Sequence, residues 1–422
     1  MGTDPDPPKS FLSRLGPGLI TGASDDDPSG IGTYTQAGAS FGFGTLWTAL
    51  FMLPLMIVVQ HICAKIGMVS GQGLAGVLKK FYPRWLLYPA VFGLIVANTI
   101  NAGTDMAAIA AAINMFVPVP IPILVIPIAV LIVVLQVWGS YRFIVKVFKW
   151  LTLSLFAYII AAFLARPNWS EVLYGTVVPQ FQFSGEYITT VVALLGTTIS
   201  PYLFFWQASE EVEEEVAEGR ESLSSRLGAT DDELKHEKWD TITGMALSNI
   251  VAYFVILAAA STLFAAGKND IRSAVDAAQA LRPLAGNAAS FLFAAGIIGT
   301  GLLGVPVLTS SSAYAVSETF GWTCSLDEKP RHAKRFYSVI AVSTLIGLLV
   351  NYSGINPITA LFWTAVINGV IAPPLLIVVL FVSNNKRVVG DRTNGVWTNV
   401  VGWLAAVIMV AAAIGMLLTW NS

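Results

Sequence analysis

Two short segments of the chain place a proline among carboxylates or hydroxyls, and each lies inside a long apolar stretch. The first contains three successive aspartates followed by a proline, a serine and a glycine: Asp25, Asp26, Asp27, Pro28, Ser29 and Gly30. The second contains hydroxyl-bearing residues around a proline: Thr197, Thr198, Ser200, Pro201 and Tyr202. Proline removes a backbone donor and clashes with the preceding turn, so a helix through either segment should break there. The carbonyls freed at both breaks, together with the carboxylates, predict a cation-binding site.

The composition sets the surroundings of these two segments. The 422 residues are 55% hydrophobic and only 12% charged, and the mean hydropathy is +0.68. A soluble domain carries roughly 25% charged residues. These values exclude a disordered chain and an ordinary cytosolic enzyme, and the net charge of −2 argues against nucleic acid as a partner. The chain is predicted to be an all-α, polytopic membrane protein whose surroundings are a lipid bilayer, with no obligate protein partner indicated.

Long apolar stretches predict how often the chain crosses the bilayer. A helix needs about 20 apolar residues to span the hydrocarbon core. Eleven stretches meet this requirement, at approximately 11–40, 45–68, 85–116, 119–139, 141–165, 187–217, 240–266, 286–318, 333–352, 356–382 and 395–420. The sequence therefore predicts eleven transmembrane helices after a cytoplasmic tail of residues 1–10.

The basic residues predict the orientation of these helices. If the N-terminus is cytoplasmic, only Arg166, Lys268, Arg272 and Arg282 fall on the outer side, which leaves 20 of the 24 basic residues inside. Such an excess on the cytoplasmic side is what the positive-inside rule requires. We therefore expect an integral protein of a plasma or inner membrane, with its N-terminus inside and its C-terminus outside.

The two breaks fall in the first and sixth predicted helices. Because five is an odd number, a second copy of a five-helix unit enters the membrane in the opposite orientation. Paired interrupted helices in two inverted halves indicate the substrate site of a transporter. This spacing predicts one repeat over residues 11–166, an inverted repeat over 187–383, and an eleventh helix over 395–420.

Ionisable residues at membrane depth are costly and usually functional. Asp27 lies immediately before the first break and is the best placed to contact a bound cation. Successive helical residues are about 100° apart, so Asp25 and Asp26 cannot face the same point; we expect them to line a vestibule or to make hydrogen bonds between helices. Asp105, in the third predicted helix, can pair with a buried donor or relay protons. The acidic run Glu210–Glu221 is expected to be a solvated extension of the sixth helix.

The broken segments resemble those of a known family. Asp27-Pro28-Ser29-Gly30 resembles the Asp-Pro-Gly-Asn signature in the first helix of the NRAMP divalent-metal transporters. Ser200-Pro201-Tyr202 occupies the place of the family's Met-Pro-His in the sixth helix. Thr104-Asp105 resembles the family motif of the third helix, and Ser383–Gly390 resembles the motif after the tenth. The resemblance extends over nearly the whole chain and implies a LeuT-type fold and metal-ion transport, with the metal as substrate and no cofactor.

Two departures from the family pattern affect the implied metal site. In the family, the ligands are the aspartate, the asparagine, the methionine sulfur and backbone carbonyls. Here Asp27 keeps the carboxylate, Gly30 replaces the asparagine and Ser200 replaces the methionine, while the carbonyls are expected to be those of Ser24 and Thr197. Loss of the soft sulfur leaves an all-oxygen site, and both smaller residues should widen the cavity. This pattern resembles the NRAMP-related magnesium transporters and favours partly hydrated Mg²⁺, with Mn²⁺ also carried.

Three further departures concern proton coupling. Family members that are proton-coupled carry a glutamate in the third helix and histidines in the sixth. Ala108, Tyr202 and Gln207 stand at those positions, and none of the three titrates near neutral pH. The sequence therefore predicts a uniporter without proton coupling, in which Asp105 is the remaining titratable residue.

Three other functions are compatible with part of this pattern. A proton-coupled Mn²⁺ carrier uses the same fold, and so does a Na⁺-coupled carrier of organic solutes. The carboxylate beside the first break disfavours the organic-solute carrier, which needs helix N-termini for a substrate carboxylate. An intramembrane aspartyl protease could use Asp27 and Asp105 as its paired carboxylates. Such proteases carry Tyr-Asp and Gly-x-Gly-Asp motifs that do not occur here, so the chain is predicted not to be an enzyme.

Overall fold

The computed structural model describes residues 16–138, 156–271, 273–326 and 328–419. Within these ranges the chain is helical and contains no strand. We number the main helices in chain order: α1 (Pro17–Asp25), α2 (Pro28–Phe41), α3 (Leu46–Ser70), α4 (Leu74–Phe81), α5 (Arg84–Asn114), α6 (Ile121–Trp138), α7 (Ala157–Leu164), α8 (Trp169–Val177), α9 (Gly185–Thr198), α10 (Pro201–Ala217), α11 (Asp231–Ala259), α12 (Ala289–Phe320), α13 (Lys334–Val350), α14 (Pro357–Ser383) and α15 (Val396–Leu418). The all-helical prediction is confirmed.

Eight helical stretches of the described residues are long and apolar enough to cross a membrane. The count of eleven crossings stays a prediction. Part of the fifth predicted crossing, together with the tail at residues 1–10, lies outside the described residues, and α7 is the portion of that crossing that the structure shows. The ninth predicted crossing corresponds to α13, which has 17 residues.

Two predicted crossings are interrupted helices. The chain leaves helical geometry after Asp25 and re-enters it at Pro28, so α1 and α2 are the halves of the first crossing. It does the same between Thr198 and Pro201, where α9 and α10 are the halves of the sixth. In each case proline is the first residue of the second half, because its missing N–H is not needed there and its φ already suits a helix.

Small residues let α1 lie directly against α11. A Cβ atom at Gly244 of α11 would lie 2.1 Å from the carbonyl oxygen of Gly18, and one at Gly22 would lie 2.3 Å from the backbone of Gly244. Only glycine permits backbones this close. The N-terminus of α1 is held by Asp240, whose carboxylate accepts hydrogen bonds from the backbone N–H groups of Gly18 (2.7 Å) and Leu19 (3.2 Å).

The acidic run at the end of α10 differs from the prediction. Glu210, Glu211 and Glu215 are buried, with 8%, 6% and 5% of their surfaces exposed, so this face of the helix is not solvated, whereas Glu214, Glu218 and Glu221 are exposed as expected. One face of α10 packs against other helices, and polar partners accompany the acids: Glu211 accepts a hydrogen bond of 2.8 Å from Gln207. Sequence hydropathy alone could not show that α10 remains covered beyond the apolar part of its span.

Candidate functional site

At each break, a proline removes the helical hydrogen-bond donor of one backbone carbonyl. In an α-helix the carbonyl of residue i accepts from the N–H of residue i+4. The partners of Ser24 and Thr197 would be residues 28 and 201, and both are prolines, which have no N–H. Ser24 and Thr197 are also buried, so water does not readily replace the missing donors. Two carbonyl oxygens near the C-terminal ends of α1 and α9 are thereby released for other contacts.

Two side-chain hydroxyls occupy these carbonyls. The phenol of Tyr202, in α10, donates a hydrogen bond of 2.9 Å to the carbonyl oxygen of Ser24 and so joins the two breaks. The hydroxyl of Ser200 donates to the carbonyl oxygens of Thr197 (2.8 Å) and Gly196 (2.7 Å). The expected carbonyl ligands are therefore engaged by the protein itself in this conformation.

Asp27 caps the N-terminus of α2 and is 1% exposed. Its Oδ1 accepts hydrogen bonds from the backbone N–H of Gly30 (2.8 Å) and the hydroxyl of Ser29 (2.6 Å). Its Oδ2 accepts one of 3.1 Å from Nδ2 of Asn101, in α5. Three donors therefore fix the carboxylate at the break, and its charge compensates the positive end of the α2 dipole.

Gly30 does not leave the open space that its small size suggested. A Cβ atom at this position would lie 3.1 Å from Oγ1 of Thr197, 3.3 Å from the carbonyl oxygen of Asp25 and 3.3 Å from the ring of Tyr34. The expected widening is therefore absent around Gly30 in this conformation, because Tyr34 and Thr197 fill the space. The closeness of Gly30 to Thr197 shows that the two breaks lie side by side, as does the hydrogen bond from Tyr202 to Ser24.

The carboxylates of Asp25 and Asp26 contact α11. Oδ2 of Asp25 accepts a hydrogen bond of 2.7 Å from the hydroxyl of Ser248, which also lies 3.3 Å from Oδ1 of Asp26. The contacts attach α1 to α11. Of the two roles considered from the sequence, the structure places these aspartates in hydrogen bonds between helices.

Of the remaining pathway candidates, Asp105 lies near the breaks and Gln207 does not. Asp105 is fully buried near Asp27: a Cβ atom at Gly304 of α12 would lie 3.0 Å from Cβ of Asp27 and 3.9 Å from Oδ2 of Asp105. Neither oxygen of Asp105 makes a well-formed hydrogen bond within the described part of the chain. Gln207 lies seven residues beyond Ser200, about 10 Å along α10, where it bonds Glu211. It is not part of the site at the breaks.

The chemistry of the arrangement is that of oxygen ligands. One carboxylate, two carbonyls and the hydroxyls of Ser29, Ser200 and Tyr202 lie at the two breaks, where two helices end and two begin. The C-terminal ends of α1 and α9 favour a positive charge there. Among the residues that the structure describes, no cluster of three or more His, Cys, Asp or Glu side chains is arranged to hold a metal. A cation here would thus depend on Asp27 and neutral oxygens.

Sequence reasoning overlooked Asn101 as a contributor to this site. Its side chain is completely buried and contacts the carboxylate of Asp27. One signal was present in the sequence: Asn101 is a polar residue placed one helical turn before Asp105 in an apolar helix, so both share a face of α5.

Comparison with known proteins identifies the family. Residues 18–419 match the family described as natural resistance-associated macrophage protein-like, or Nramp. The divalent metal cation transporter MntH of Bacillus subtilis (strain 168) is 26% identical over 416 residues, which cover 96% of this chain and 91% of that protein. MntH of Klebsiella pneumoniae (strain 342) is 25% identical over 412 residues, which cover 96% and 93%.

A solved structure confirms the fold. The manganese transporter of Eremococcus coleocola, crystallised with an aromatic bis-isothiourea-substituted compound, superposes with a TM-score of 0.71 at 17% identity, covering 97% of this chain and 88% of that chain. At this identity the likeness concerns the fold alone. The resemblance to the Nramp family and the transporter fold class are confirmed, whereas the likeness to the magnesium-transporting branch stays a prediction. The chain belongs to the Nramp family of membrane transporters for divalent metals, which are not enzymes.

Proposed function

We propose that this transporter carries Mg²⁺, and also Mn²⁺, through a site formed by Asp27, Ser200 and the carbonyl oxygens of Ser24 and Thr197. The observation that carries the proposal is the pair of carbonyls released by Pro28 and Pro201 beside one buried carboxylate. Within the described residues, the side chains that donate hydrogen bonds to the Asp27 carboxylate and to the two carbonyls carry hydroxyl or amide groups; none carries a sulfur or an imidazole.

An oxygen-only site supports a hard cation. Mg²⁺ dehydrates reluctantly and is bound through one or two carboxylates while it keeps several waters. Asp27 supplies the carboxylate, and the hydroxyls of Ser29 and Ser200 are suited to contact either the ion or its water. Mn²⁺ accepts the same ligands and should be carried as well. Soft ions such as Cd²⁺ gain nothing from this set of ligands.

The proposed transport mode is uniport. Ala108, Tyr202 and Gln207 provide no group that titrates in the working range. A membrane potential that is negative inside contributes about 2.3 kcal/mol per charge per 100 mV. A divalent ion therefore gains about 4.6 kcal/mol, which corresponds to an accumulation of more than about a thousandfold by the rule of 1.4 kcal/mol per factor of ten. Entry of Mg²⁺ does not require a proton gradient.

The proposed architecture is that of a transporter built from two inverted repeats. Residues 11–166 and 187–383 form two five-helix repeats that alternate access to the breaks between them, and residues 395–420 form an additional helix. The protein is oriented with its N-terminus in the cytoplasm and its C-terminus outside, in a plasma or inner membrane.

A second candidate is a proton-coupled Mn²⁺ transporter. Asp105 favours it, because this carboxyl group is buried close to Asp27 and its oxygens lack well-formed hydrogen bonds within the described residues. The relatives named as divalent metal cation and manganese transporters are compatible with this candidate.

Purified protein in proteoliposomes separates the two candidates. The potential is clamped with potassium and valinomycin, a pH-sensitive dye is enclosed, and Mg²⁺ or Mn²⁺ is added outside. We expect electrogenic uptake of both ions without acidification of the lumen. Metal-dependent acidification would establish proton coupling, and uptake of Mn²⁺ with exclusion of millimolar Mg²⁺ would refute the hard-site proposal. Asp27→Ala should abolish uptake, whereas Asp391→Ala, a change at an exposed aspartate, should not.

A further inference from the structure

The Asn101 side chain is buried, and only one of its two polar atoms has a hydrogen-bond partner within the described residues. Its Nδ2 donates to Oδ2 of Asp27 at 3.1 Å. Its Oδ1 has no hydrogen-bond partner within the described residues, although the side chain is fully enclosed. An unsatisfied buried acceptor costs about 1–3 kcal/mol. Because Nδ2 and Oδ1 belong to one small planar group, the unpaired oxygen must also lie in the neighbourhood of the Asp27 carboxylate.

We infer that the carboxamide of Asn101 is a part of the cation site, in which Nδ2 orients Asp27 and Oδ1 accepts the cation or one of its waters. This inference rests on the proposed function. An amide oxygen is a regular ligand for hard cations, and a bound ion gives Oδ1 the partner that it lacks. Gly30 offers no side chain at the break, so an amide at this point has to come from a neighbouring helix.

The position on α5 suits this role. Asn101 lies one turn from Asp105, and both residues are fully buried on the face of the helix that meets the first break. A neutral oxygen beside two carboxylates adds a ligand without adding a third buried charge, which would be costly to desolvate.

Asn98 provides a matched control on the same helix. It is also buried, and its Oδ1 is likewise unpaired within the described residues. Its Nδ2 donates to the carbonyl of Leu308 (3.0 Å) and the hydroxyl of Ser312 (3.1 Å), so it attaches α5 to α12 through neutral groups. Replacement of Asn98 should disturb packing between these helices but leave the ligands of the cation in place.

The test measures Mn²⁺ affinity by calorimetry and the KM for Mg²⁺ and Mn²⁺ uptake in proteoliposomes. Asn101→Leu, which is similar in size and has no oxygen, is expected to weaken affinity about 10- to 100-fold, the usual cost of losing a group that supports a metal site. Asn101→Asp keeps an oxygen but loses the donor to Asp27; since a bound cation offsets the added charge, this variant should bind within about tenfold of the wild type. Asn98→Leu should bind as the wild type does.

Two outcomes would overturn the inference: Mn²⁺ binding by Asn101→Leu within twofold of the wild type, or equal weakening in Asn101→Asp and Asn101→Leu. Equal weakening would show that Asn101 only donates a hydrogen bond that orients Asp27 and does not contact the cation. If Asn101→Leu cannot be purified, the comparison of Asn101→Asp with the wild type decides, since loss of binding there contradicts an oxygen ligand. Failure of the proposed function is recognised separately, by wild-type protein that binds Mn²⁺ but transports neither ion.

Discussion

The hydrogen bond from Tyr202 to the carbonyl of Ser24 leads to a quantitative prediction. The bond satisfies a carbonyl that we propose as a ligand, so a cation that binds this oxygen has to displace the phenol. Tyr202→Phe removes the competing donor and leaves the carbonyl of the empty site without a partner. A neutral hydrogen bond contributes about 0.5–1.5 kcal/mol net. We therefore expect Mn²⁺ and Mg²⁺ affinities to increase about 2- to 10-fold, by the rule of 1.4 kcal/mol per factor of ten.

The assay is calorimetric titration of Mn²⁺, followed by competition with Mg²⁺, on purified wild-type and variant proteins. Tyr337→Phe is the matched control, because the hydroxyl of Tyr337 also donates to backbone carbonyls, those of Leu326 (3.1 Å) and Glu328 (3.0 Å), far along the chain from both breaks. It should change stability without changing affinity. Unchanged or weaker binding by folded Tyr202→Phe protein would show that the cation does not replace the phenol on Ser24.

Three further predictions concern the site and the helix that carries it. Ser200→Met introduces a thioether and should shift the preference toward Cd²⁺ and Mn²⁺ over Mg²⁺ in competition uptake; an unchanged preference would place the side chain outside the ligand sphere. Asp240→Ala removes the acceptor at the N-terminus of α1 and should lower stability by about 0.5–2 kcal/mol, seen as a lower melting temperature in detergent. Gly244→Ala should destabilise the protein by about 1–3 kcal/mol because its Cβ would meet the carbonyl of Gly18, and a melting temperature equal to that of the wild type would contradict the close packing.

The local chemistry of the two breaks was predictable from the sequence. Pro28 and Pro201 define which carbonyls lose their donors, because the helical hydrogen bond has a fixed spacing. The prediction of breaks in the first and sixth crossings therefore required no knowledge of tertiary structure. The same residues and Asp27, together with Thr104-Asp105 and Ser383–Gly390, carried the family resemblance.

Tertiary partners were much less predictable. No spacing rule connects Ser24 with Tyr202, which are far apart in the chain, or Asp25 with Ser248. The space expected beside Gly30 is occupied by Tyr34, from the same helix, and by Thr197, from the other break. Such contacts depend on how separate helices pack, and a single sequence contains no direct measure of that packing.

Gly18, Gly22 and Gly244, at which α1 and α11 meet, lower the hydrophobic cost of separating these two helices. Separation of two packed helices costs about 25 cal/mol for each Å² of apolar surface that becomes exposed. Along Gly18, Gly22 and Gly244 the surfaces in contact are largely backbone, so little apolar area is uncovered when they part. Water can replace Asp240 as the acceptor of the hydrogen bonds from the backbone N–H groups of Gly18 and Leu19. The hydrophobic cost of separating α1 from α11 is therefore small, and the polar contacts of α1, those of Asp25 and Asp26 with Ser248 and of Ser24 with Tyr202, carry most of its attachment.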